Sequence, residues 1–72
     1  MLYKINEDVV YRREMDNVLM LTPETKKMLI FNKNVADSID YTNNTINYNN
    51  DNIINVLKRE GIIWEKIILQ HQ

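Results

Sequence analysis

Few side chains in this chain could do acid, base or nucleophilic work, and they are badly spaced for it. The single histidine, His71, is the residue before the last. Nothing near it in sequence would fix its tautomer or shift its pKa, so it is expected to be exposed and inert. With no cysteine there is no thiolate nucleophile, no disulfide and no thiolate metal site. Gly61 is the only glycine, which leaves no glycine-rich loop to cradle a phosphate. Glu7 and Asp8 adjoin. On a strand they diverge to opposite faces and in a bend they are solvated, so a solvated turn is favoured over an acid/base pair. No metal-ligand spacing is found. The expectation is a protein that is not an enzyme, with no catalytic residues, no metal and no cofactor. Trp64 is expected in the core. Met15, Met20 and Met28 suit either an adaptable binding surface or gap-filling in a small core, with gap-filling favoured.

Size and charge narrow the class. Seventy-two residues make one domain, residues 1–72, near the lower limit at which an unstapled core holds together. The N-terminus MLYKINED lacks the apolar centre of a signal peptide. No run approaches the roughly 18 residues of a membrane helix, so a soluble cytoplasmic protein without a membrane partner is expected. A net charge of −1 argues against a nucleic-acid binder, whose domain ordinarily carries a positive excess.

The elements that must position any binding surface follow from the hydrophobic pattern. Tyr3 to Glu14 is rich in β-branched and aromatic residues with alternation from Val9 to Arg13, a strand with Asn6-Glu7-Asp8 as a bend at its start. Met15-Asp16-Asn17 is a hairpin-length break and Val18 to Leu21 a second strand. Thr22-Pro23-Glu24-Thr25 is a turn, because proline presets the φ of a turn's second residue. In KKMLIFNK, Met28 to Phe31 form a third strand between paired lysines and an asparagine. Such short turns make the three strands an antiparallel meander. Asn32 or Asn34 then caps a helix with Val35, Ala36 and Ile39 on one stripe, ending near Tyr41. Thr42 to Asn52 is dominated by asparagine, a poor helix former, and reads as a loop with a weak turn around Ile46 and Tyr48. Asp51 caps a further helix through Glu60, stopped by Gly61. The tail IIWEKIILQHQ is either a last strand or another helix. The fold class is α+β, a three-stranded antiparallel sheet followed by two or three short helices.

In a meander the second strand is central, which leaves the third at an edge with one unpaired row of N–H and C=O groups. Its flanking lysines are gatekeepers in one reading. In the other, the edge is open to an extended peptide, which adds as a further strand while pockets on either face select its side chains.

The order of these features resembles the PqqD-like family, the RiPP recognition elements that bind leaders of ribosomally made, post-translationally modified peptides. The resemblance rests on Asn6, Val9 and Arg12; on Leu19 and Leu21 before the proline turn; on Leu29 and Asn32, opening a helix with Ala36 and Ile39; and on Leu57, Gly61, Ile62 and Ile63. It spans Tyr3 to Ile63. The chain departs from the family in the middle, where an amphipathic second helix is replaced by the asparagine-rich Thr42 to Asn50.

What the resemblance implies is a winged helix-turn-helix-like domain that binds a precursor leader peptide along its third strand. The leader would lie in the groove between that strand and the last helix. Carried onto this chain, the backbone of Lys27, Met28, Leu29, Ile30 and Phe31 would form the ladder. One groove wall would come from Met28 and Ile30 or from Leu29 and Phe31, and the other from Ile53, Ile54, Leu57 and Lys58. Lys26, Lys27, Lys33, Lys58 and Arg59 would make the rim positive and steer an acidic leader inward. A separate maturation enzyme would act on the held precursor: a leader peptidase, as in lasso-peptide systems, or a radical SAM enzyme, cyclodehydratase or dehydratase in others. Two other readings compete. A winged-helix nucleic-acid binder would use Asn52, Asn55, Lys58 and Arg59 on its reader helix. A small assembly subunit would use the exposed edge to form a homodimer.

Overall fold

One polar turn divides the first third of the chain between two sheets. The structure is a computed structural model and describes residues 1–67. Strand β1, Leu2–Ile5, is separated from β2, Val10–Glu14, by a turn that Asn6 organises. The Asn6 side chain accepts from the Asp8 amide at 3.0 Å, and the Val9 amide donates to the Asn6 carbonyl at 3.0 Å. An asparagine that bonds its own backbone two residues on is a recurrent way to close such a turn. The single strand expected over Tyr3 to Glu14 is therefore two strands in different sheets.

The meander follows as expected. Strands β2, β3 (Asn17–Leu21) and β4 (Met28–Phe31) form a three-stranded antiparallel sheet in that order. Between β2 and β3 the chain reverses through Met15 and Asp16, with Met15 at φ 55°. A positive φ matches a tight hairpin to the twist of its strands. Between β3 and β4 the loop is held by Thr22, whose hydroxyl accepts from the Lys27 amide at 2.8 Å and whose amide donates to the Lys27 carbonyl at 2.9 Å.

Helix α1, Lys33–Asp37, is a single short piece capped by Asn32, which accepts from the amides of Asn34 and Val35. It stops four residues short of Tyr41 because both the Ser38 amide and hydroxyl turn back to the Val35 carbonyl. The chain then runs into β5, Ile39–Asp40, and β6, Thr45–Asn47.

The asparagine-rich region thus forms a hairpin and an ordered crossing. Asp40 accepts from the amides of Thr42 and Asn43 at 3.0 Å each, and Asn44 takes φ 61°, a conformation asparagine tolerates better than most residues. The Asn44 side chain and backbone both bond Ile5 at 3.0 Å. Asparagine is used here for turn geometry, which is why poor helix propensity did not mean lack of structure.

Helix α2, Asp51–Arg59, is capped by Asn50, one residue earlier than expected, and ends before Gly61 at φ 78°. The tail resolves to a strand, β7, Ile63–Ile67, which pairs with β1. Strands β5, β6, β1 and β7 form a second, four-stranded antiparallel sheet that the hydrophobic pattern did not announce. The core draws on both sheets and both helices: Tyr3, Ile5 and Ile46 from one sheet, Val18 and Met20 from the other, Val35, Ala36, Ile54 and Leu57 from the helices, with Ile62 and Ile63 beside them. The architecture is α+β with antiparallel sheets and two helices. No helix among the described residues is long and apolar enough to cross a membrane.

Candidate functional site

Among the described residues strand β4 is an edge, and its free side can be specified residue by residue. Val18 pairs with Phe31, Leu19 with Ile30, Met20 with Leu29 and Leu21 with Met28. The Thr22 to Lys27 hydrogen bond continues this register. In an antiparallel ladder the bonded pairs alternate, so Lys27, Leu29 and Phe31 turn their backbone groups toward β3. Met28 and Ile30 turn theirs outward. Of the five residues expected to offer a ladder, two do so, and the Lys27 backbone is taken up by Thr22.

Side chains alternate in the same way. Leu29 and Phe31 lie on the inner face, packed against the core. Met28 and Ile30 lie on the outer face and are 57% and 63% exposed. The inner pair therefore borders any groove beside the core.

A groove is present. A hollow of about 480 Å³ opens beside the end of β4, lined by Ile30, Phe31 and Asn32, by Asn34 and Val35 of α1, and by Tyr48, Asn50 and Ile53 at the start of α2. At the other end of β4, Lys27 Nζ meets Glu60 Oε1 at 3.0 Å. Since β4 begins near the end of α2 and ends near its start, strand and helix lie alongside one another in antiparallel sense.

The remaining expected wall residues separate. Ile53 lines the hollow and packs on the core from a partly buried position. Ile54 and Leu57 are buried, at 5% and 0% exposed, so they support the helix from below and present nothing to a guest. Lys58 lies with its ammonium 5.5 Å from the Tyr3 ring centroid, over the second sheet. The contributors missed by sequence reasoning are Tyr48, Asn50, Val35, Asn32 and Asn34. Asparagine richness around Tyr48 concealed the first two.

Three of the five cations of the expected positive rim are paired, but with only two carboxylates. Lys27 pairs with Glu60, Lys33 Nζ sits 2.7 Å from Asp37, and Arg59 approaches Glu60 at 3.8 Å. The hydrogen bonds from Lys33 and then Arg13 hold the Asp37 carboxyl below its ordinary range.

Trp64 is not in the core but half exposed, at 51%. Met20 fills the core while Met15 and Met28 are exposed. Glu7 and Asp8 are exposed in their turn. His71 lies outside the described residues. No cluster of three metal-ligating side chains occurs among the described residues. No protein-family model matches the chain, and neither the curated proteins nor the solved structures include a significantly similar one.

Proposed function

We propose that this chain is a non-catalytic recognition module of the PqqD-like, winged helix-turn-helix type, which takes the leader of a precursor peptide as an added strand on β4 and presents it to a separate maturation enzyme. The observation that carries the reading is an open apolar edge with a hollow directly beside it: the outward backbone of Met28 and Ile30, next to Phe31, Val35, Tyr48 and Ile53. The other edge of the sheet, β2, carries Arg12, Arg13 and Glu14, charges of the kind that discourage strand addition.

A guest strand bonded to Met28 and Ile30 places its residues opposite Leu29 and Phe31 on the inner face. Alternate apolar guest side chains then reach the hollow, whose volume lies within the usual range of ligand sites. Backbone bonds supply affinity and the hollow supplies selectivity.

The test is amide hydrogen exchange with a strand-forming peptide of about eight residues that has alternating apolar side chains and acidic ends. Protection should rise at the Met28 and Ile30 amides, and stay unchanged at Leu29 and Phe31, which β3 already covers. A peptide that binds without protecting Met28 and Ile30, or duplex DNA that binds while the peptide does not, overturns the reading.

A further inference from the structure

Among the described residues nothing covers the outer face of the three-stranded sheet, which is apolar over much of its area, with Arg12, Glu14 and Asn17 toward one end. Val10, Leu19, Leu21, Met28 and Ile30 all point to the side away from the core. Val10, Met28 and Ile30 are 69%, 57% and 63% exposed, whereas Leu19 and Leu21 on the central strand are partly buried. A shallow hollow of about 300 Å³ opens on this face, lined by Val10, Tyr11, Arg12, Leu19, Leu21 and Met28. Neither helix packs on it, because β4 and β3 meet α1 from the inner side, through Val35 and Ala36.

We infer that this face pairs with the same face of a second copy of the chain. Charge and size favour that occupant, and a two-fold axis lying in the plane of the face would make the contact isologous, each copy presenting Leu19, Leu21, Met28 and Ile30 to the other. The face carries no net charge, since Arg12 Nε and Glu14 Oε1 neutralise each other at 3.2 Å. The whole chain carries only −1, so two copies repel one another weakly. The exposed apolar area is roughly 400 Å² per copy, and a pair would bury on the order of 1,000 Å² with its rim, at the lower end of specific interfaces. The pairing is accordingly a reversible one, and it extends the buried surface of a domain whose own core is small.

This interface uses side chains on the outer face and leaves the outward backbone of β4 free; it shares Ile30 with the peptide hollow, and a Val10 variant, on the opposite edge strand of the sheet, separates the two. The experiment is sedimentation equilibrium from about 1 µM to about 500 µM. The average mass should climb from one copy toward two. Val10→Lys, at a position too exposed to matter for folding, should shift the midpoint at least about tenfold upward in concentration without changing the dilute-solution melting curve. Lys27→Gln, off the face, should leave the midpoint where it was. A monomer mass throughout the range overturns the inference. So does a dimer indifferent to Val10→Lys, which would place the contact elsewhere.

Discussion

Ile30 and Leu29 are adjacent, yet their amides face opposite ways, and proline separates them. Proline removes a donor and is tolerated in a sheet only where that donor points away from its neighbour. Ile30→Pro should retain the fold and lose peptide binding, whereas Leu29→Pro removes a native rung and should lower stability by ~1–3 kcal/mol. Thermal unfolding followed by circular dichroism, with a binding titration on whichever variant folds, checks both. Gly61 is a second position where one residue type decides the backbone. A Cβ there would meet Pro23 at 3.9 Å, an ordinary contact, but φ is 78°. Gly61→Ala should therefore cost about 1 kcal/mol through strain alone, read as a fall in the urea midpoint with an unchanged slope. Leu57, expected to wall the groove, is wholly buried, so Leu57→Asp would report on folding rather than on binding. Both Gly61 as a helix stop and Asn32 as a cap were legible, because each follows from local geometry. The alternation of free and used amides on β4 was not, because it depends on the register with β3.

At the scale of elements, α2 is the piece that turns an edge into a groove. Its existence was legible from Asp51 to Gly61, but the structure turns Ile54 and Leu57, expected in the groove wall, inward and leaves Asp51, Asn52, Asn55 and Arg59 exposed. Asn50 accepts from the Ile53 amide at 3.1 Å, and Asn50 and Ile53 both line the hollow. Asn50→Ala should destabilise the protein by ~1 kcal/mol and weaken peptide binding beyond that loss, because it frays the helix end that shapes the hollow. Leu57→Ala should cost ~2–5 kcal/mol while leaving binding intact at temperatures where the fold persists. Comparing the two variants by calorimetry at low temperature separates shaping the groove from supporting it. In the hairpin of β5 and β6, Ile39 and Asp40 were read as the end of a helix and Thr45 to Asn47 as part of a loop, because the asparagines and threonines between them gave no strand pattern. Its pairing depends on β1, more than forty residues away in the chain, and local propensity carries no record of that partner.

At the scale of the molecule, the two sheets are joined across one core, and an ion-pair cluster ties the β2 strand to α1. Arg13 Nη1 lies 2.7 Å from Asp37 Oδ1, and Lys33 meets the other carboxylate oxygen at 2.7 Å. Asp37 is held below its ordinary range by hydrogen bonds from Lys33 and then Arg13, and Asp40 by bonds from the backbone and side chain of Asn43. For a carboxyl whose folded pKa is lowered, the stabilisation is present above the unfolded value and disappears as pH falls through the folded one. Stability should therefore decline on acidification below the ordinary carboxylate range. Asp37→Asn should flatten part of that decline, measured as urea midpoints across acid pH. Since the Arg13, Asp37 and Lys33 side chains are solvent-accessible, added salt should shrink the Asp37 share. By itself the sequence determined the meander, an asparagine cap at the start of α1, the stop of α2, the edge position of Met28 to Phe31 and the poverty of catalytic groups, since these follow from periodicity, turn chemistry and composition over short spans. Only the tertiary structure decided that β1 leaves the meander for a second sheet, which two backbone groups of β4 face outward, and that Tyr48 and Ile53 meet Phe31 around one hollow. Those outcomes depend on pairing and packing between residues far apart in the chain, where free energy is settled by whichever distant surfaces bury one another.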